Sequence, residues 1–469
     1  MAFGTGGADG AAAGLVAWRV MSIELPNPEE GQRVFDLDRA YVFHSWSAQG
    51  TLSPFTPAKT QGSYIWDYNG KQYLDISCQL VNTNIGHQHP KVVAAIQAQA
   101  AEMATIAPQH AVRSRGEAAQ RITELAPDGF NKVFFTNGGA DAVENAIRMA
   151  RLHTGRTKVL SYYRSYHGNT GSAISATGDW RRIPNEFSMG HVHFFGPFAY
   201  RSAFWSESPE QESARALEHL EAVINAEGPQ SIACIVIESV VGTGGVLIPP
   251  PGYMEGVRAL CDKHGIVWIA DEVMAGFGRT GKWFAFEHFD AVPDLIVFAK
   301  GVNSGYVPLG GVIISDAIAA TFDSRVFPGG LTYSGHPLAC ASAVATIDAM
   351  REEGIVENAA RVGTELIGPG LRALAKRHPI IGEVRGVGVF WALDLVSDQA
   401  TKAPIAPPVG ASPVMAELGA ECRKNGLLPF LVANRIHVVP PCNVSDAEVA
   451  EMLEKLEVVF SVMDKHYQG

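Results

Sequence analysis

The chain has 469 residues, 47% hydrophobic and 18% charged, with a net charge of -11. That length holds a large α/β domain plus a smaller one, with ample material for a core. The acidic balance argues against nucleic acid or an anionic membrane as a partner held by bulk charge, and no apolar run is long enough to cross a bilayer. Cys78, Cys234, Cys261, Cys340, Cys422 and Cys442 form no C-x-x-C pair; they read as reduced, buried thiols of a cytoplasmic protein. Residues 1–21 are small and glycine/alanine-rich without a basic start. They read as a disordered leader and not a signal peptide, with Met21 an alternative beginning.

In chain order, Phe43 to Ala48 is a loop centred on Trp46. Alternating apolar residues on either side of Asn69-Gly70 predict a β-hairpin. His87 and His89 lack the further ligands a metal site needs, and no metal is expected. Apolar spacing predicts helices over 91–104 and 113–126. Lys132-Val-Phe-Phe-Thr136 then runs into Gly138-Gly139-Ala140 and a helix with Val143, Ala146, Ile147 and Ala150 on its apolar face. Such a turn leaves backbone N–H groups free at a helix N-terminus, where an anion can bind. A second strand from Lys158 ends in a turn carrying Tyr166 and His167. Residues 206–213 read as a polar linker before a helix over 214–227. The buried strand Ser231–Ile237 ends in Glu238, followed by the glycine loop 242–245; Gly265 closes a helix over 253–264. The strand from Ile266 ends in Asp271-Glu272-Val273.

The apolar run Asp294–Ala299 delivers Lys300 into a glycine-rich turn, 29 residues beyond Asp271. A lysine at the end of such a strand is poorly solvated, which lowers its pKa. A neutral amine can form a Schiff base or take a proton. Strand–helix alternation from about 130 to 315 predicts a mostly parallel sheet with helices on both faces, and ligands collect at the carboxyl ends of such strands. The Gly138–Ala140 turn, Tyr166, Glu238, Asp271 and Lys300 all fall at those ends. The expected organisation is an N-terminal segment (22–95) contributing to a small domain, a large domain (96–338) and a C-terminal small domain (339–469). In the last, Gly386-x-Gly388 reads as a structural turn and helices are expected over 339–353, 356–378 and 446–467.

Asp271-Glu-Val-x-x-Gly-Phe-Gly-Arg-Thr-Gly281, the Lys300 segment at its spacing, and Thr332-Tyr-x-Gly-His-Pro337 together resemble the class III, fold-type I, pyridoxal-phosphate-dependent aminotransferases from about residue 25 onward. The resemblance implies an α/β large domain with a mostly parallel, seven-stranded sheet and a small α/β domain built from both chain ends. It implies that Lys300 holds pyridoxal phosphate covalently and shuttles a proton, and that Asp271 faces the pyridine nitrogen and keeps it protonated. Tyr166 stacks on the ring with His167 in support, Val273 presses on the opposite face, and Gly139 and Ala140 donate N–H groups to the phosphate. Glu238 belongs to the same site, lining it or pairing with a basic residue. Thr332 reaches the phosphate from a partner subunit, so the active unit is a homodimer, or a tetramer built from it.

Two departures matter. Gly138-Gly139-Ala140 stands where the family usually has Ser-Gly-Ser, which removes a hydroxyl contact to the phosphate. Met274 stands where many members have glutamine, which resembles the pyruvate-dependent, ω-amine branch. Trp46, Leu80 and Val81 match pocket-wall positions, and Arg435 matches an arginine that holds a substrate carboxylate; a structural salt bridge is its alternative. These imply transfer from an ω-amino acid or amine (β-alanine, taurine, simple amines) to pyruvate or a similar keto acid. The alternatives on this fold are a decarboxylase, racemase or aminomutase, or a 4-aminobutyrate/2-oxoglutarate-type aminotransferase.

Overall fold

The computed structural model describes residues 24–185 and 188–469; the expected leader, 1–21, lies outside them. By packing, the chain divides into two units, one reaching Lys59 and including Trp66–Lys71, the other comprising Thr60–Ile65 and Gln72–Gly469. In the first, helix Pro28–Tyr41 starts with Pro28 at its first turn, and the Asn27 side chain accepts from the Glu30 N–H at 3.2 Å. This is the cap that an asparagine before a helix provides. Gly70, at φ +82°, turns the chain between strands Tyr64–Asp67 and Gln72–Asp75.

The second unit holds a seven-stranded sheet. In chain order its elements are β1 (Lys132–Thr136), α1 (Gly139–Thr154), β2 (Lys158–Tyr162), β3 (His191–Phe194), α2 (Pro209–Glu227), β4 (Ile232–Glu238), α3 (Tyr253–His264), β5 (Val267–Asp271), β6 (Leu295–Phe298) and β7 (Gly310–Ile314). The strand order is β1-β7-β6-β5-β4-β2-β3. The run from β6 to β3 is parallel. Strand β7 alone runs against its neighbours β6 and β1.

Helices cover both faces, as the alternation predicts. Val143, Ala146, Ile147 and Ala150 of α1 bury against Val159, Cys234, Val236, Ile269 and Val297. On the other face Leu220 and Ile224 of α2 and Met254 and Val257 of α3 pack on Ile235, Ile237 and Trp268. Successive residues of β4 therefore serve opposite layers, and that is why it reads as a continuous apolar run. Each such side chain contributes roughly 1.5–3 kcal/mol of transfer free energy when fully buried. Gly265, at φ +60°, ends α3 as expected.

Helix α2 begins earlier than its apolar spacing suggests. Ser208 caps it, its side chain accepting from the Gln211 N–H at 3.3 Å, and Pro209 starts it, so part of the expected linker is helical. The region 356–378 is a helix interrupted by a π-turn over Gly363–Ile367. Ile381–Val387, Phe390–Asp398, Arg435–Val438 and Phe430–Val432 pair antiparallel in that order, and Gly388, at φ +57°, makes the turn of the first hairpin. All six cysteines are buried and free. His87 and His89 turn to different carboxylates, Asp75 at 3.1 Å and Glu353 at 3.2 Å. No helix among the described residues is long and apolar enough to cross a membrane.

Candidate active site

The carboxyl ends of β1, β2, β4, β5 and β6 converge on a cavity of about 310 Å³. Lys300 enters it directly after the fully buried strand β6. Its backbone is left-handed, at φ +48°, which costs a non-glycine residue about 1–2 kcal/mol. Its carbonyl accepts from the Gly305 N–H at 3.2 Å, closing a tight turn. Burial pulls the amine below the usual lysine range, opposed by the charges of Asp271 and Glu238.

Asp271 ends β5 and is 3% exposed. Its Oδ2 accepts from His167 Nδ1 at 2.7 Å and its Oδ1 from the Val273 N–H at 3.1 Å. An ionised carboxylate can only accept, so Nδ1 carries the hydrogen. Burial drives the His167 ring toward neutrality, but the Asp271 carboxylate outweighs it and the pKa is raised. His167 Nε2 is buried without a partner among the described residues. Glu238 lines the same cavity, yet both its oxygens are engaged by backbone: Oε1 by Tyr166 N–H at 3.1 Å, Oε2 by Gly242 N–H at 2.7 Å. It ties two loops together, and burial pushes its pKa up to about 7.

Gly138 precedes α1 in extended conformation, and no side chain caps the helix, which leaves its first N–H groups for a ligand. Gly139 packs close against Val273, where a Cβ would lie 2.9 Å from Val273 Cγ1. Val273, Gly139, Ala140 and Tyr166 all line the cavity. These features fit pyridoxal phosphate: an amine for its aldehyde, a buried carboxylate for its ring nitrogen, an aromatic and an aliphatic side chain for its faces, and a helix N-terminus for its phosphate.

Sequence reasoning missed three contributors. Asn82 and Asn303 line the cavity. Arg181 sits 3.7 Å from the centroid of the Tyr166 ring and is ion-paired with Asp179. Nothing in the spacing of these residues marks them.

The expected substrate contacts are more scattered. Val81 is buried with Val240, Val246 and Met274, behind the cavity lining, and Leu80 is exposed and outside it. Trp46 is exposed in the N-terminal unit, and Thr332 is exposed and does not line the cavity. Met274 does line it. The Arg435 guanidinium meets no carboxylate among the described residues. Its nearest acceptor is the Thr243 carbonyl, 3.5 Å from Nη2, and its Nε has no partner. The structural salt bridge considered for it is therefore not seen. Burial and the neighbouring Arg385 pull its pKa down to about 10.

The family profile described as Aminotransferase class-III matches residues 46–460. The taurine–pyruvate aminotransferase of Bilophila wadsworthia is 31% identical over 448 residues, 92% of this chain and 97% of its own length. The putrescine–pyruvate aminotransferase of Pseudomonas aeruginosa is 34% identical over 407 residues, covering 84% and 88%. A solved taurine:2-oxoglutarate aminotransferase from Bifidobacterium kashiwanohense, in complex with PLP and glutamate, superposes with a TM-score of 0.91 at 42% identity, covering 93% of this chain and 99% of that one. The chain belongs to the class III aminotransferases, pyridoxal-phosphate-dependent enzymes of fold type I.

Proposed function

We propose that this enzyme moves the amino group of an ω-amino acid or simple amine, of the β-alanine or taurine kind, to pyruvate or a similar keto acid in two alternating half-reactions. The observation that carries the reading is the pairing, across one cavity, of a desolvated Lys300 amine with the hydrogen-bonded Asp271 carboxylate. When bound, pyridoxal phosphate supplies an electron sink conjugated to the substrate nitrogen. Asp271, oriented by its hydrogen bond from His167, would hold a proton on the ring nitrogen. Lys300 Nζ takes the proton from the substrate carbon and returns it. Tyr166 and Val273 would hold the ring, and Gly139 and Ala140 would offer N–H groups to the phosphate. Arg435, free of any protein carboxylate, binds the carboxylate of the acceptor. The apolar Met274 suits a donor with no polar group there.

Part of this proposal is an assembly: a homodimer in the cytoplasm in which the exposed Thr332 completes the phosphate site of the partner, with segment 96–338 as the cofactor-binding domain and 22–95 and 339–469 contributing to the smaller one. A second reading of the acceptor is 2-oxoglutarate, favoured by the similarity to the Bifidobacterium enzyme, which is named for that acceptor.

The test is the visible spectrum of the purified holoenzyme. β-Alanine, taurine and a simple amine are added in turn, then pyruvate or 2-oxoglutarate. A donor should bleach the cofactor band and the acceptor should restore it. If no donor bleaches a coloured protein, the transfer reading fails. Lys300→Ala should lower turnover by roughly 10⁴-fold, the upper range for a lost acid–base group, while size-exclusion chromatography still shows a dimer.

A further inference from the structure

A second cavity, of about 90 Å³, is lined by Arg164 and Arg201 and by the apolar Phe195, Phe198, Val241 and Leu247. Its charges are not balanced. Arg164 faces Arg201, Arg385 and Asp394. Asp394 is fully engaged: Oδ1 accepts from Arg201 Nη1 and from Asn434 Nδ2, each at 2.7 Å, and Oδ2 accepts from Arg385 Nη2 at 3.2 Å. Glu383 pairs with Arg385. Glu212 accepts from the Phe198 N–H and the Ser202 hydroxyl. Arg164, exposed to solvent, has no carboxylate partner among the described residues; its guanidinium rests 4.9 Å from the centroid of the Phe198 ring. An arginine held on an aromatic face beside an apolar cavity, with no carboxylate partner, can offer its N–H groups to an anion.

We propose that this cavity binds a small carboxylate with an apolar body about the size of one aromatic ring. The carboxylate pairs with Arg164, and the body lies against Phe195, Phe198, Val241 and Leu247. The site is separate from the catalytic cavity but shares a structural element with it. Val241 and Leu247 donate to each other's carbonyls at 3.1 and 2.9 Å, closing the loop between them. That loop carries the Gly242 N–H that holds Glu238, the Thr243 carbonyl beside Arg435, and the Gly245 carbonyl that accepts from Arg385 Nε at 2.5 Å.

The experiment titrates 4-fluorobenzoate into the holoenzyme and follows its ¹⁹F NMR signal in the parent, Arg164→Gln and Arg435→Gln proteins. Arg164 is exposed, so its replacement leaves the core intact. The expected result is saturable binding that Arg164→Gln weakens about tenfold, the equivalent of one charge-assisted pair, and that Arg435→Gln leaves unchanged. Loss of binding in Arg435→Gln, alone or together with Arg164→Gln, assigns the ligand to the acceptor-carboxylate site proposed at Arg435 and overturns the proposal. Absence of saturable binding in the parent overturns it as well. None of these outcomes bears on whether amino transfer occurs, which the spectral test reads independently.

Discussion

Asp271 is oriented before any ligand arrives, with one oxygen on His167 and the other on a backbone N–H. Asparagine would fit the same space but carries no charge to hold a proton on a ring nitrogen. Asp271→Asn should lower the rate of the first half-reaction by roughly 10²–10³-fold, the scale of one lost electrostatic contact at a reacting centre, with an unchanged circular dichroism spectrum. The next residue, Glu272, is fully buried, accepts from the Ala285 and Phe286 N–H groups at 2.7 and 3.0 Å, and is pushed up to about 7 by burial. Its folded pKa is raised, so the stability it contributes is complete below the unfolded value and is lost as pH rises through the folded one. The window runs from about 4.5 to about 7 and is worth about 2–3 kcal/mol. Urea unfolding at pH 5 and pH 8 should show the parent losing about that much more than Glu272→Gln. At this scale the sequence was readable where chemistry dictates residue type: an amine and a carboxylate at strand ends announce Lys300 and Asp271. Asn82, Asn303 and Arg181 were not, because an amide or an arginine in a loop acquires meaning only from neighbours far along the chain.

The junction of β1 and α1 depends on one missing atom. A Cβ at Gly139 would meet Val273 Cγ1 at 2.9 Å and Cγ2 at 3.0 Å. Alanine favours a helix over glycine by about 1 kcal/mol, but the overpacking should outweigh it, so Gly139→Ala should cost roughly 1–2 kcal/mol by chemical denaturation and weaken cofactor retention on dialysis. Strands β4, β5 and β6 were legible because strands buried on both faces read as unbroken apolar runs. The early start of α2 was hidden because its first turn is polar and is held by Ser208 and Pro209, which the apolar spacing does not register. The π-turn at Gly363–Ile367 lies where a Cβ on Gly363 would run into the Gly388 backbone. Periodicity along 356–378 does not report a turn docked 25 residues later. Strand β7 was hidden in another way: alternation gives a strand's faces but not its direction.

Over the whole molecule, Arg279 fastens distant parts of the second unit. It is fully buried, and its guanidinium donates to Cys78 Sγ at 3.0 Å, Asn84 Oδ1 at 2.7 Å and the Pro440 carbonyl at 2.5 Å. It thus joins the segment before the cavity, the β5–β6 connection and the C-terminal sheet. Arg279→Met should leave those acceptors unmet and cost roughly 3–5 kcal/mol, seen as a lower urea midpoint at unchanged slope. The motif containing Arg279 was plain in the sequence. Its function as a buried tie was not, since arginine is mostly a surface residue.

The reversed direction of β7 has a consequence for how the protein breathes. Strand β6 reaches the catalytic edge at Lys300, and β7 starts from that same edge at Gly310, so the segment between them never leaves it. Both its ends are clamped in the interior of the sheet, by β5 on one side and β1 on the other. Its amides at Val302, Ser304 and Gly305 are hydrogen-bonded within the segment. They should exchange slowly, which amide hydrogen exchange of the folded enzyme would show. The expected consequence is that this backbone stays equally protected with and without cofactor, and matched exchange in the two forms is the check.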